Sequence, residues 1–178
     1  MVPPLLFTQR LRLRPRSLDD LEANLAMDMD PRVHRYIWPD GPPDRQERLA
    51  QLREQYGTDQ PHPRAIWTVE WADRPGFLGW CGVFPLEDSG LIEIGYRYIA
   101  AIWGQGVGTE AAREVLDHGF RAMAIDPIVA VAHPDNRASR RLLEKIGLEP
   151  AGTAFHYRQW LAFYRLNRRD YLSAPQKS

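Results

Sequence analysis

The sequence predicts an α+β fold, a mixed and mostly antiparallel sheet with helices packed on it. Two observations carry that expectation. Between residues 65 and 99, three runs dense in β-formers are separated by two short turns, 72–76 and 87–90, the pattern of an antiparallel meander. The periodicity then changes. Ala112, Val115, Leu116, Gly119, Phe120 and Met123 recur at helical spacing, and Ile128–Ala132 is a continuous apolar run of the kind a strand buried on both faces needs. A strand–helix–strand–helix unit therefore follows the meander.

The elements read in order as follows. Leu11 and Leu13 alternate with Arg10, Arg12 and Arg14 over a strand spanning 7–14, which Pro15 ends. Ser17 with Asp20 three residues on is a helix N-cap with its acidic partner, and Asp30-Pro31 opens another helix. The proline-rich stretch 39–43 is a surface loop, followed by a helix carrying Leu49, Leu52 and Tyr56 on one face. The meander strands span 65–71, 77–86 and 91–99. A helix over 136–146 places Ala138, Leu142 and Ile146 at four-residue spacing, with Gly147 as its C-cap. Two closing strands are expected near 153–158 and 160–167.

Composition bounds the class. The 178 residues, 44% hydrophobic and 26% charged, fit one domain over 1–178, with its core at about 7–171. One cysteine, Cys81, excludes an internal disulfide. With 23 basic and 23 acidic side chains, neither a general nucleic-acid binder nor a binder of anionic membranes is indicated. No apolar run approaches the roughly 18 residues of a membrane span, and the first residues lack the pattern of a signal peptide, so a cytoplasmic protein is the default. Five histidines, at 34, 62, 118, 133 and 156, show no metal-ligand spacing, so no metal is expected. His118 is expected on the exposed side of its helix, His133 in a structural role, and Cys81 as a small buried residue.

The segment Trp103-Gly-Gln-Gly-Val-Gly-Thr-Glu110 lies between a strand and a helix. Glycines there let successive N–H groups face one concavity while the helix N-terminus adds partial positive charge, which suits a phosphate or pyrophosphate. A P-loop is excluded because no lysine follows the glycines. A dinucleotide fingerprint fails because Thr109 stands at the third glycine position and antiparallel strands precede the turn.

The turn resembles the acetyl-CoA pyrophosphate loop of the GNAT superfamily of N-acetyltransferases. Thr8-Gln-Arg-Leu-Arg-Leu-Arg-Pro15, Glu93-Ile-Gly-Tyr96 and Asn136-Arg-Ala-Ser-Arg-Arg-Leu-Leu-Glu-Lys-Ile-Gly147 resemble its RimJ/RimL-like branch of ribosomal-protein N-terminal acetyltransferases, over residues 7 to 171. Trp103 departs from the superfamily's usual Arg or Gln three residues before Gly106. The resemblance implies a sheet with a splayed central strand pair, helices on both faces, and acetyl-CoA as acetyl donor. It implies that N–H groups of Gln105, Gly106, Val107, Gly108 and Thr109 hold the pyrophosphate. The strand edge at Tyr98, Ile99 and Ala100 would pair with the pantetheine amides as an added β-strand does. Asn136 would hydrogen-bond the pantetheine arm or simply cap its helix. Arg140, with Arg137 and Arg141, would meet the 3′-phosphate or stay solvated.

Attack of an amine on a thioester needs a neutral amine and tolerates a weak acid. An α-amine titrates near about 7.7–8.0 against about 10.4 for lysine, so it demands less of a base, and a thiol titrates near about 8.5, so the thiolate leaves readily. Glu93 is the first candidate base and Glu70 the second. Ser139 matches the branch's proposed general acid, with Tyr96 as a further donor. The least regular part of the chain, 33–44, is expected to build the acceptor pocket, walled by Tyr36 and Trp38 together with Trp67 and Trp80 from strands. The reading is a monomeric or homodimeric N-acetyltransferase working by direct transfer in a ternary complex, its acceptor a protein N-terminal α-amine. The alternatives are acetylation of a small-molecule amine or antibiotic, and a non-catalytic acetyl-CoA-binding module. An RNA-associated role for the arginines at 10, 12, 14 and 165–169 is the weakest reading.

Overall fold

The computed structural model describes residues 2–57 and 64–174. Among them are eight strands in one sheet: β1 (Leu6–Phe7), β2 (Leu11–Pro15), β3 (Ala65–Trp71), β4 (Gly79–Pro85), β5 (Ile92–Tyr98), β6 (Ile128–Ala132), β7 (Glu149–His156) and β8 (Gln159–Leu166). Their spatial order is β1-β2-β3-β4-β5-β6-β8-β7. Every pair is antiparallel except β5–β6. That parallel pair is short, joining only Ile92 to Ile128 and Glu93 to Val129. Past Glu93 the two strands part, which is the splayed pair the family resemblance implies.

Helices α1 (Leu21–Asp28), α2 (Pro31–His34) and α3 (Arg45–Gly57) belong to one face, α4 (Val107–Arg121) and α5 (Arg137–Lys145) to the other, and α6 (Arg168–Ser173) follows the last strand. Strand alternation separates the two faces. On β3, Ala65, Trp67 and Val69 join the core beneath α4, while Thr68 and Glu70 turn to the α1 side, where Thr68 donates to Asp20 Oδ2 at 2.7 Å. On β5, Tyr96 and Tyr98 turn toward the α4–α5 side, and Glu93, Gly95 and Arg97 toward α1–α3. Valines, alanines and leucines at the helical period of α4 are fully buried against Leu11, Leu13, Trp67 and Val83. Each such large side chain contributes roughly 1.5–3 kcal/mol.

Local signals hold at most element ends. Ser17 N–H donates to Asp20 Oδ2 at 3.0 Å, and Arg32 N–H to Asp30 Oδ1 at 2.9 Å beside Pro31. At the end of α5, Gly147 takes φ +100, its N–H bonds Glu144 O and the Leu148 N–H bonds Leu143 O, a Schellman closure.

Two expectations are corrected and one element was not anticipated. The predicted strand 7–14 is a hairpin, because Thr8 N–H closes on Leu11 O and Thr8 and Arg10 are drawn to Glu110. The buried face of α5 is Leu142, Leu143 and Ile146, while Ala138 is exposed. Helix α6 carried no recognised start signal; the Arg168 N–H that opens it is held by Asp126 Oδ1 at 2.9 Å.

Candidate active site

The glycine turn leads into α4 as anticipated. Gly104 and Gly106 adopt φ +77 and +80, a left-handed region that disfavours side chains. Glu110 N–H makes the first helical bond, to Gly106 O at 3.0 Å, so the N–H groups just before it, through Thr109, have no intrahelical acceptor. Gln105 stands apart: its N–H turns to Ile102 O and its amide to Ala101 O. The cradle is therefore Gly106, Val107, Gly108 and Thr109. Close approach explains Gly108, where a Cβ would lie 2.9 Å from Leu142 Cδ1 and 3.1 Å from Tyr98 Cε2. Arg10 clamps the turn from outside, donating to Gln105 O at 3.1 Å and pairing with Glu110 at 2.7 Å. These donors fit a pyrophosphate.

The strand edge ends earlier than expected. Tyr98 is the last residue of β5; Ala100–Ile102 is a 3₁₀ turn, and the Ile99 N–H is taken by Leu78 O. The chain must bend there to enter α4, so Ile99 is extended but its N–H is already taken by β4's flank, and Ala100 lies in the turn rather than on an edge. The edge left open by the departure of β6 runs from Ile94 to Tyr98. Trp103, the departure from the family pattern, donates its indole N–H to Tyr98 O at 3.0 Å and so ties the turn to the strand end.

Where β5 and β6 part, a cleft of about 860 Å³ opens between the sheet and the α1–α3 layer. Glu93 sits at its head, 4% exposed. Burial pushes the Glu93 carboxyl up to about 8, against a hydrogen bond from the Tyr157 hydroxyl that favours the charged form. Tyr157 and Arg158 form the tip between β7 and β8, both at positive φ (+51 and +63). Holding two bulky residues there costs free energy, and such outliers concentrate at functional positions. The tip reaches over the cleft, with Gln159 Nε2 donating to Ile37 O at 3.3 Å.

On the other side of the gap, Ser139 Oγ and Tyr96 Oη lie 2.9 Å apart. Burial raises the Tyr96 hydroxyl well above its ordinary value. Asn136 caps α5 through Oδ1, which accepts from the Ser139 N–H at 3.1 Å. His133 follows β6 directly, stacks on Tyr36 at 5.1 Å and lines the cleft. Tyr36, Trp38 and Trp80 are cleft residues.

Trp67 is not a cleft residue. It is fully buried on the α4 side, donating to Pro4 O at 2.7 Å and meeting His118 edge-on, because odd positions of β3 face the core. His118 is accordingly half-buried, and burial lowers its pKa. Glu70 is held by Arg12 at 2.6 Å and Arg14 at 3.0 Å, away from the cleft, and does not compete with Glu93. Arg140 donates to Tyr164 Oη and Pro134 O, bracing the loop before α5. Cys81 is buried, its thiol pushed up to about 12. His62 lies outside the described residues. Among the described residues no cluster of His, Cys, Asp and Glu could hold a metal, and no helix is long and apolar enough to cross a membrane.

A family description, the acetyltransferase (GNAT) domain, matches residues 10–149. The chain is 30% identical to the uncharacterized N-acetyltransferase YoaA of Bacillus subtilis (strain 168), over 86% of this chain and 88% of that one. Among solved structures, an acetyltransferase of the GNAT family from Bacillus anthracis superposes with TM-score 0.77 at 23% identity, covering 93% and 99% of the two chains. Mycobacterium smegmatis RimJ in complex with CoA-disulfide superposes at 0.71 and 22%, covering 95% and 88%. The chain belongs to the GNAT family and is an acetyltransferase.

Proposed function

We propose that the chain transfers acetyl from acetyl-CoA directly to an α-amine, within a ternary complex, with Glu93 as general base. The observation that carries this reading is the position of the buried Glu93 carboxyl at the head of the cleft, where β5 and β6 part. Acetyl-CoA, when bound, supplies an acetyl thioester. Gly106, Val107, Gly108 and Thr109 would hold its pyrophosphate through N–H groups, and the Ile94–Tyr98 edge with Asn136 would hold its pantetheine.

A carboxyl raised to about 8 matches an α-amine near about 7.7–8.0, so proton transfer between them is close to balanced at neutral pH. The Tyr157 hydroxyl steadies the charged form of Glu93 until it takes the proton. The Tyr96–Ser139 hydroxyl pair can release a proton to the departing sulfur. Buried Cys81, with its thiol far from titrating, does not suit an acyl-enzyme route.

The test is release of CoA from acetyl-CoA in the presence of α-amino acids, peptides with free N-termini, lysine side-chain analogues and small polyamines. The reading expects release with α-amines, lowered by about 10²- to 10⁴-fold in Glu93→Gln while acetyl-CoA still binds. Binding of acetyl-CoA with no release for any amine would overturn it and favour a cofactor-binding module.

A further inference from the structure

The end of the cleft away from Glu93 is built from buried cations. Arg97 lies four residues beyond Glu93 on the same face of β5, so their Cα atoms are roughly 13 Å apart. Its guanidinium lies between the rings of Trp38 (5.3 Å) and Trp80 (5.7 Å). Arg48, from α3, covers Trp38 from 5.4 Å. Both pair with a single carboxylate, that of fully buried Asp28, Arg48 through Oδ2 at 2.7 Å and Arg97 through Oδ1.

Arg16 joins them at the cleft wall. It donates to Gln55 O at 3.0 Å and lies 3.9 Å over the Tyr56 ring, so its contacts there are neutral. Burial lowers its pKa, and Arg48 and Arg64 repel it. Asp20, the next carboxylate, is bound to Arg14 and Thr68. Arg48 and Arg97 thus share one carboxylate and Arg16 adds a third guanidinium to the cleft wall, while the other lining carboxylates are engaged elsewhere, Glu87 by His156, Asp40 by Arg158 and Glu47 by Gln51. Glu93, at the opposite pole, has its carboxyl pushed up to about 8 by burial. Desolvated like charges persist best where a ligand anion completes them.

The geometry points to an acceptor that carries its amine at one end and an anionic group at the other, the anion received by Arg16, Arg48 and Arg97. This rests on the acetyl-transfer reading above. A carboxylate and a phosphate share that chemistry, while polycationic amines such as aminoglycosides and polyamines are disfavoured by it.

The test compares matched acceptors: a dipeptide with a free C-terminal carboxylate, the same dipeptide as its C-terminal amide, an aminoalkyl phosphonate of similar length, and spermidine. The expected result is a kcat/KM for the free acid about 10- to 100-fold above that of the amide, expressed mainly in KM. Arg16→Gln should shrink that ratio toward one; Arg48→Gln is the second variant, with a thermal melt showing that each is folded. A phosphonate outrunning the dipeptide acid would identify a phosphate-bearing acceptor. Equal rates for acid and amide, a preference for spermidine, or an unchanged ratio in both folded variants would overturn the inference while leaving acetyl transfer standing. No transfer to any amine, with acetyl-CoA still bound, would overturn the acetyl-transfer reading and this inference with it.

Discussion

On the proposed reading, the two faces of β5 divide the labour of the enzyme. Toward α4 and α5, Tyr96, Tyr98 and the turn at Gly106–Thr109 make a site largely from backbone donors and small residues. Toward α1–α3, Glu93 and Arg97 make a site from buried charges completed by Tyr157, Arg48 and Asp28, which lie far apart in the chain. A backbone-built site tolerates change in side chains but not in shape. A charge-built site is the reverse. Substitutions should therefore separate the two halves cleanly.

The largest effect is expected from Glu93→Gln, which keeps the shape and removes the base. Turnover should fall by about 10²- to 10⁴-fold with acetyl-CoA affinity retained, as measured by steady-state kinetics beside calorimetry. In the cofactor half, Gly108→Val should weaken acetyl-CoA binding by about 5- to 150-fold, the equivalent of roughly 1–3 kcal/mol, as the turn shifts to relieve overpacking against Leu142 and Tyr98. Equal losses of binding in both variants would erase the division.

Tyr157→Phe sharpens the comparison from the acceptor side. Without its hydroxyl the Glu93 carboxyl rises further, so the pH–rate profile should move to higher pH, with a several-fold loss at neutral pH of about 1 kcal/mol. Stability should show the same carboxyl. Its pKa is raised in the folded protein, so between the ordinary value near 4.5 and about 8 the unfolded chain holds fewer protons than the folded one. Wild-type stability should fall relative to Glu93→Gln across that window and level off above it, in urea titrations at successive pH values. The smallest effect is expected for Arg158→Gly, which relieves a positive φ and should stabilise by about 1 kcal/mol without entering the cofactor half.

Legibility followed the same division. The strand-to-helix turn was readable because glycines between a strand and a helix have few other uses, and the place of Glu93 near the start of β5 because it precedes that turn on the same strand. The acceptor half was read only by residue type. Trp67 and Trp80 look alike in sequence, yet opposite faces of their strands send one into the core and the other into the cleft. Tyr157 was read as a strand residue, since Tyr-Arg lacks the Asn-Gly signal of a two-residue hairpin. Asp28, Arg48 and Arg97 gave no sign of meeting, because nothing local sets how α1 and α3 lie across β5. Ala100 was misplaced by the 3₁₀ turn that leads toward α4, which starts one turn before the glycines that announce it.

The most direct test of the central claim is the pH dependence of kcat for the wild type and Glu93→Gln at saturating acetyl-CoA, with an acceptor whose amine titrates well below neutral pH so that its own ionisation does not overlie that of Glu93. The account predicts a wild-type rate that rises with pH through an inflection near about 8 and a variant whose residual rate lacks it. The same inflection in both proteins, or a variant as fast as the wild type, would show that Glu93 is not the base.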